Sequence, residues 1–144
     1  MPGPAPNKRD ELLAAFAKAL FTKDIDALYR VVTPDFVWSL PIGPAGPHGR
    51  RLASREDLAA YFEERDRLYA SMRFHDVVYH HAPEVTLMTF RVRGVVRATN
   101  KAFEVQGMEQ YVFRDDRIAL KDAYWKQIAD EQALVVQMAE ASAA

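Results

Sequence analysis

The chain has 144 residues, a length that suits one domain with a sizeable core. Its 19 basic and 20 acidic residues are well mixed, so no basic stripe indicates a nucleic-acid or membrane-surface partner. The chain contains no cysteine, which excludes disulfides, thiolate metal ligands and cysteine nucleophiles. No apolar stretch of signal-peptide or membrane-spanning length is present, so we expect a cytoplasmic protein without a membrane partner.

The first half of the chain predicts three helices. Leu12, Phe16 and Leu20 recur every four residues and form the apolar stripe of the first helix. Asp24 and Ser54 are suited to cap the second and third helices, because their side-chain oxygens can accept a backbone hydrogen bond. The predicted helices cover residues 9 to 21, 24 to 32 and 54 to 70.

The rest of the chain predicts strands, because apolar residues alternate with polar ones at period two. A loop over residues 41 to 51 has three prolines and three glycines, and we expect no regular structure there. The predicted strands cover residues 35 to 40, 73 to 80, 85 to 99, 102 to 113 and 117 to 126. A last helix is expected over about 130 to 141, and the chain ends are expected to be flexible.

The order of these elements predicts the fold class. Helices gathered first and strands last indicate an α+β domain, with three helices on one face of a curved antiparallel sheet. Such a sheet, curled against the helices, encloses a cone-shaped cavity. A single domain with a core of about residues 9 to 127 accounts for the whole pattern.

Glu109 is the principal candidate for a functional residue. In residues 102 to 113 one face of the strand carries Phe103, Val105, Tyr111 and Phe113, and Glu109 shares that apolar face. A carboxylate on a buried face is costly unless it is paired, hydrogen-bonded or protonated. Glu109 is therefore either a functional acid or base, or a structural carboxylate that bonds a backbone amide or a tyrosine.

Several segments resemble one known group of proteins. The segments FTKDIDALYRVVTPDFVW and SREDLAAYF, separated by a Gly/Pro-rich loop, are similar to the nuclear transport factor 2-like superfamily. The closing segment MEQYVFRDDRIALKDAYW resembles its ketosteroid-isomerase-like and SnoaL-like polyketide cyclase members. The resemblance covers roughly residues 9 to 127 and implies a cone-shaped α+β barrel around a pocket.

The resemblance also tests the isomerase machinery position by position. The catalytic base of ketosteroid isomerases falls at Leu40, which can move no proton. Their oxyanion tyrosine falls at Phe16, and a supporting tyrosine falls at or near Phe62. Glu109 matches the protonated acid of that site, and Trp125 matches a position that lines the pocket. The resemblance therefore implies the pocket without the isomerase's catalytic set.

Two further residues are weaker catalytic candidates. Asp122 lies where SnoaL-like proteins often place an acid, although the inward position implied for Trp125 requires Asp122 to face outward. In that case Asp122 is expected to pair with Lys121 or Lys126 on the surface. His48 lies in the loop, where a histidine can titrate near neutral pH or simply be solvated.

The remaining predictions concern ligands and partners. No histidine spacing indicates a metal site, and no cofactor is expected. A homodimer through the outer sheet face is expected, because the superfamily pairs there and Arg91, Arg93 and Arg97 form a row that Glu104 could complement. The side chains expected to line a pocket for a small hydrophobic ligand are Phe16, Trp38, Leu40, Phe62, Met88, Phe90, Tyr111 and Trp125.

Three functions stay open on the sequence alone. The preferred one is a SnoaL-like enzyme of isomerase, cyclase or hydrolase type that acts on a small hydrophobic carbonyl or polycyclic compound. The others are a non-catalytic module that binds a small hydrophobic ligand, and a dimeric interaction domain. An enzyme requires a second titratable group within reach of Glu109.

Overall fold

The structure, a computed structural model, describes residues 2 to 127 and the isolated positions 132 and 139. Apart from those two positions, the helix expected over 130 to 141 lies outside the described residues. The three predicted helices are present, and their bounds are α1 Pro6–Thr22, α2 Ile25–Val31 and α3 Arg55–Leu68. Among the described residues, no helix has both the length and the apolar composition needed to cross a bilayer.

The helix caps form as the sequence predicts. The Asp24 side chain accepts a hydrogen bond from the backbone N–H of Ala27 at 2.9 Å. The Ser54 hydroxyl accepts one from the N–H of Asp57, whose carboxylate in turn accepts from the N–H of Ala53. The apolar stripe of α1 faces the core, where Leu12, Leu13, Phe16 and Leu20 are buried.

Six strands form one sheet in the order β2-β1-β6-β5-β4-β3. The strands are β1 Val32–Leu40, β2 Arg50–Leu52, β3 Tyr69–His81, β4 Val85–Val96, β5 Lys101–Arg114 and β6 Arg117–Trp125. The sheet is mixed, since β1 pairs with β6 in parallel, whereas the sequence predicts only antiparallel pairs. The short strand β2, which pairs with β1, was also missed because the loop contains so many prolines and glycines. Helices α1 to α3 lie against this sheet, and the expected α+β cone is confirmed.

The N-terminal residues are attached to the turn between β3 and β4. The N–H of Gly3 donates to the carbonyl of Pro83 at 2.8 Å. Arg9, only 3% exposed, directs its guanidinium at four carbonyl oxygens and one hydroxyl. These acceptors are Pro4 O, Ala82 O, Pro83 O, Val85 O and Thr86 Oγ1, at 2.6 to 3.2 Å. This buried cation fixes the start of α1 against the sheet.

Candidate functional site

Strand β5 places Glu109 on the inner face of the sheet. Strand β5 pairs with β4 without a register shift, so its side chains alternate between the two faces of the sheet from residue 101 to residue 112. Glu109 is 1% exposed, and its inner-face neighbours Tyr111 and Phe113 are also buried. The sequence prediction that this carboxylate faces the interior is confirmed.

Two polar groups contact the Glu109 carboxylate. The Tyr111 hydroxyl donates a hydrogen bond to Glu109 Oε2 at 2.7 Å. The Lys121 amine lies 3.4 Å from the same oxygen. Lys121 is 2% exposed and Tyr111 is 3% exposed, so the carboxylate, amine and phenol form one buried cluster.

A β-bulge in β6 turns Lys121 inward. Val112 pairs with Leu120, but the next residue of β5, Phe113, pairs with Ile118, so Ala119 has no partner. The extra residue reverses the alternation, and both Ile118 and Lys121 are therefore buried. The expectation that Lys121 is a surface partner of Asp122 is wrong for this reason.

The surroundings of Lys121 are mostly apolar. Its amine lies 4.0 Å from the Trp38 ring centroid and 5.1 Å from that of Phe16. Burial lowers the pKa of Lys121, the negative charge of Glu109 opposes this shift, and the positive charge of Arg65 adds to it. The net direction is downward, which favours the neutral amine more than at an exposed lysine.

The phenols near Glu109 are held in the neutral form. Burial, and then the charge and hydrogen bond of Glu109, raise the pKa of Tyr111 well above its ordinary value. Burial and the charge of Glu109 also raise the pKa of Tyr79. Tyr111 can therefore donate a proton to a hydrogen bond over the whole physiological range.

Two cavities meet at Glu109. The larger, of about 310 Å³, lies between α3 and the sheet, and the smaller, of about 150 Å³, lies between α1 and the sheet. Trp38, Leu40, Tyr61, Phe74, Ala123 and Trp125 line the larger one together with Glu109. Phe16, Leu20, Tyr79, Met88, Tyr111 and Lys121 line the smaller one together with Glu109. The Glu109 side chain thus belongs to the wall of both cavities.

Charged residues of β2 and α3 border the larger cavity. Arg50 pairs with Glu64 at 2.7 Å and stacks over the Tyr61 ring at 5.7 Å. Arg65 lines the same cavity. The border is therefore polar, whereas the wall is mainly aromatic and aliphatic, a combination typical of sites for small organic ligands.

Two indole groups of the larger cavity lack an acceptor. The Nε1 atoms of Trp38 and Trp125 are buried and have no hydrogen-bond partner within the described part of the chain. A buried donor without an acceptor costs free energy, on the order of 1–3 kcal/mol. A ligand oxygen that accepted from either indole would remove that cost.

Seven of the expected lining residues lie around the Glu109 cluster, although on different walls. Trp38, Leu40 and Trp125 line the larger cavity, and Phe16, Met88 and Tyr111 line the smaller one. Phe90 packs against Phe74 and Trp125, with ring centroids 5.0 and 6.0 Å apart, behind the wall of the larger cavity. Phe62 lines neither cavity, and the third helix contributes Tyr61 instead.

Asp122 and His48 lie away from the cluster. Asp122 is on the opposite face of β6 from Lys121 and accepts a hydrogen bond from the Tyr124 hydroxyl at 2.9 Å. The lysine partner expected for Asp122 is therefore replaced by a tyrosine. His48, in a 3-10 turn over Gly46–His48, lines a separate hollow of about 180 Å³ with Asp122.

Lys121 was not predicted as a site residue, although one signal in the sequence pointed to it. By alternation, an inward Trp125 implies that Ala123 and Lys121 also face inward. Tyr61 shares the predicted buried side of the third helix with Phe62, whereas no signal pointed to Arg65. Within the described residues, no group of three histidine, aspartate or glutamate side chains is placed to hold a metal ion.

Comparison with known proteins identifies the family. A family model described as the SnoaL-like domain matches residues 13–121. This chain belongs to the SnoaL-like domain family. The resemblance noted in the sequence is confirmed. None of the curated proteins compared with this SnoaL-like chain matches it.

Solved structures show the same fold. An NTF2-like protein from Burkholderia xenovorans LB400 has a TM-score of 0.73 at 19% identity, over 93% of this chain and 98% of that one. A candidate polyketide cyclase from Xanthomonas campestris pv. campestris has a TM-score of 0.67 at 18% identity, over 91% and 96%. A hypothetical protein with a ketosteroid isomerase-like fold from Catenulispora acidiphila, in complex with trimethylamine, has 0.63 at 17%, over 79% and 84%. At these identities the likeness establishes the SnoaL-like fold and leaves the reaction to the site.

Proposed function

We propose that this SnoaL-like protein is an acid–base catalyst, of isomerase, cyclase or hydrolase type, for a small and largely apolar carbonyl or polycyclic compound. The observation that carries the proposal is the contact of Glu109 with two titratable groups, Lys121 and Tyr111, at the wall shared by two cavities. A lone buried carboxylate would favour a binding module, whereas a carboxylate with partners can exchange a proton.

Glu109 is the group that moves the proton in this proposal. Its carboxylate can take a proton from the carbon beside a carbonyl, and the nearby Lys121 amine can donate a hydrogen bond to the developing oxyanion. The Tyr111 hydroxyl, which donates to Glu109, holds the carboxylate in place. The cluster supplies these roles without a carboxylate at Leu40. The reaction would therefore differ in its residues from that of ketosteroid isomerases.

The free indole donors support an oxygen-bearing ligand. Trp38 and Trp125 both line the larger cavity, their buried N–H groups have no acceptor within the described part of the chain, and the rest of the cavity wall is mainly apolar. A carbonyl or hydroxyl on a hydrocarbon skeleton would satisfy both features. The ligand we propose is accordingly a cyclic or polycyclic ketone rather than a sugar or a nucleotide.

Hydrogen exchange tests the proposal. Cyclic ketones and enones incubated with the protein in D₂O should lose their α-hydrogen signals in proton NMR spectra. Glu109→Gln should abolish this loss, whereas Glu104→Gln, an exposed change on the other face of β5, should retain it. Exchange that persists in Glu109→Gln would overturn the proposal.

A non-catalytic binding module is the second candidate. It is favoured by the mainly apolar cavity wall and by Leu40 at the position where ketosteroid isomerases carry their base. Ligand-observed NMR separates the two functions, because a binding module would broaden the ketone signals and exchange no hydrogen. An interaction domain with an incidental cavity would do neither.

We also propose a homodimer through the outer sheet face, in the cytoplasm, with no nucleic-acid partner. Met108 and Tyr124 are exposed neighbours on that face, beside a hollow of about 480 Å³. Arg91 and Arg93 lie 3.9 and 3.7 Å from Glu104 there and would set the orientation of a partner. Met108→Glu should convert a dimer into a monomer in light-scattering measurements, and an unchanged mass would contradict this proposal.

A further inference from the structure

The Lys121 side chain carries a primary amine, a potential nucleophile that acid–base chemistry at Glu109 does not require. Its amine is buried among Glu109, Trp38 and Phe16, and it lines the smaller cavity. A buried ion pair is often no more stable than apolar residues of similar volume. Stability alone therefore gives little reason for an amine at this position, and a chemical role accounts for it better.

The environment shifts this amine toward its neutral, nucleophilic form. Burial and the charge of Arg65 lower the pKa of Lys121, while Glu109 and the Trp38 ring favour its protonated form. The Glu109 carboxylate is within reach to take the proton that the ammonium releases. Desolvated lysines of this kind form Schiff bases with carbonyl substrates.

We propose that Lys121 is a nucleophile that forms an iminium ion with small ketones or aldehydes in the smaller cavity. This inference rests on the proposed function, since it names the form in which that site holds a carbonyl compound. The cavity of about 150 Å³ has room for about five water-sized groups. The reacting end of the substrate must therefore be small.

The step balances within the cluster. Glu109 takes one proton from the Lys121 ammonium, and the neutral amine then forms a bond to the carbonyl carbon. The carbonyl oxygen receives the proton held by Glu109, which next removes the second proton from the nitrogen. That proton is returned to the hydroxyl, the C–O bond breaks, water leaves, and the nitrogen lone pair forms the C=N bond. Glu109 ends as a carboxylate, ready to take an α-hydrogen from the iminium ion.

Reductive trapping tests the inference. The full-length protein is incubated with butanone and sodium cyanoborohydride, which reduces an iminium ion to a stable secondary amine. Peptide mapping by mass spectrometry then compares labelling among the six lysines of the same molecule. Because burial lowers the pKa of Lys121 and so raises its neutral fraction, we expect Lys121 to be labelled faster than exposed Lys101 at pH 7.5.

Variants provide matched controls. Lys121→Met should remove the fast label, while Lys101→Met should retain it, provided that circular dichroism shows both variants to be folded. If Lys121→Met does not fold, the labelling rates of the lysines within the wild-type protein still test the inference. Equal labelling of all lysines, or labelling that avoids Lys121, would overturn the inference.

The same ketone distinguishes this inference from the proposed function. Butanone in D₂O without reductant reports α-hydrogen exchange by Glu109. Exchange of the α-hydrogens without labelling of Lys121 would contradict the iminium step and leave the acid–base function standing. Labelling of Lys121 without exchange would support the nucleophile and remove the proposed function. The absence of both would overturn both.

Discussion

The Lys121 amine lies 3.4 Å from Oε2 of Glu109, and neither side chain is more than 3% exposed. Each charge is compensated mainly by the other, because the rest of the surroundings is largely aromatic. Removal of one partner leaves an uncompensated buried charge, which is the costly change. The stability of the fold is therefore coupled to the integrity of this pair.

Lys121→Met should destabilise the protein by about 3 kcal/mol in urea unfolding at pH 7, since Glu109 loses its counter-charge. The double variant Glu109→Met/Lys121→Met should recover most of that loss. Arg55→Met is the matched control, because its pair with Asp26 is exposed and should be worth less than about 1 kcal/mol. Losses that add in the double variant would contradict the coupling.

Tyr111→Phe should cost about 2 kcal/mol, because it removes a buried hydrogen bond to a carboxylate. Tyr124→Phe removes the exposed hydrogen bond to Asp122 and should cost less than about 0.5 kcal/mol. Urea unfolding at pH 7 measures both. Similar losses in the two variants would argue that the Tyr111 hydroxyl is solvated.

The stabilising effect of the Tyr111 hydroxyl should depend on pH. Its folded pKa is raised well above the unfolded value of about 10, so the hydroxyl is neutral in both states below that pH. Above pH 10 the unfolded state loses the proton and the folded state keeps it, so the free energy of unfolding falls as pH rises. The advantage of wild type over Tyr111→Phe should shrink from pH 9 to pH 11. A constant difference would contradict a raised pKa.

Arg9→Met should destabilise the protein by about 3 kcal/mol, because several carbonyl oxygens at the β3–β4 turn lose a charged donor. Arg117→Met, an exposed change, should stay within about 0.5 kcal/mol. Thermal unfolding provides the comparison. The folded Arg9→Met variant should still exchange the α-hydrogens of ketones in D₂O. Loss of that exchange would place Arg9 in the site.

Gly107→Ala should disturb the wall of the larger cavity. An added Cβ would lie 2.6 Å from the Phe90 ring and 2.9 Å from the Trp125 ring, so both rings must move. Overpacking of this kind typically costs about 1–3 kcal/mol. Ketone binding in ligand-observed NMR should weaken more than it does in Glu104→Gln. Unchanged binding would show that the Trp125 ring does not contact the ligand.

The sequence predicted elements where local rules decide. The caps at Asp24 and Ser54 depend on residues three positions apart, and the inward position of Glu109 depends on an unbroken alternation in β5. Alternation failed in β6, because a bulge at Ala119 exchanges the two faces of the strand. The inward position implied for Trp125 indicated an inward Lys121, but the bulge itself was not located from the sequence, and the lysine that completes the site was assigned to the surface.

Contacts between residues far apart in the chain also could not be predicted from the sequence. The parallel pair of β1 and β6 joins residues about eighty positions apart, and no turn motif announces it. Four of the five acceptors of Arg9 lie more than seventy residues away in the sequence, and no sequence pattern marked Arg9. The confusion of Phe62 with Tyr61 has a different cause, because adjacent helical residues differ by only about 100° in direction.

The most direct test of the buried cluster is an NMR titration of protein labelled with ¹³C at lysine Cε. Five of the six lysines serve as internal references, and Lys121→Met assigns the remaining resonance. The Lys121 resonance should titrate below the ordinary value of about 10.4. Glu109→Gln should lower its midpoint further, because the carboxylate favours the charged amine. A Lys121 resonance that titrates with the exposed lysines and ignores Glu109→Gln would contradict the account.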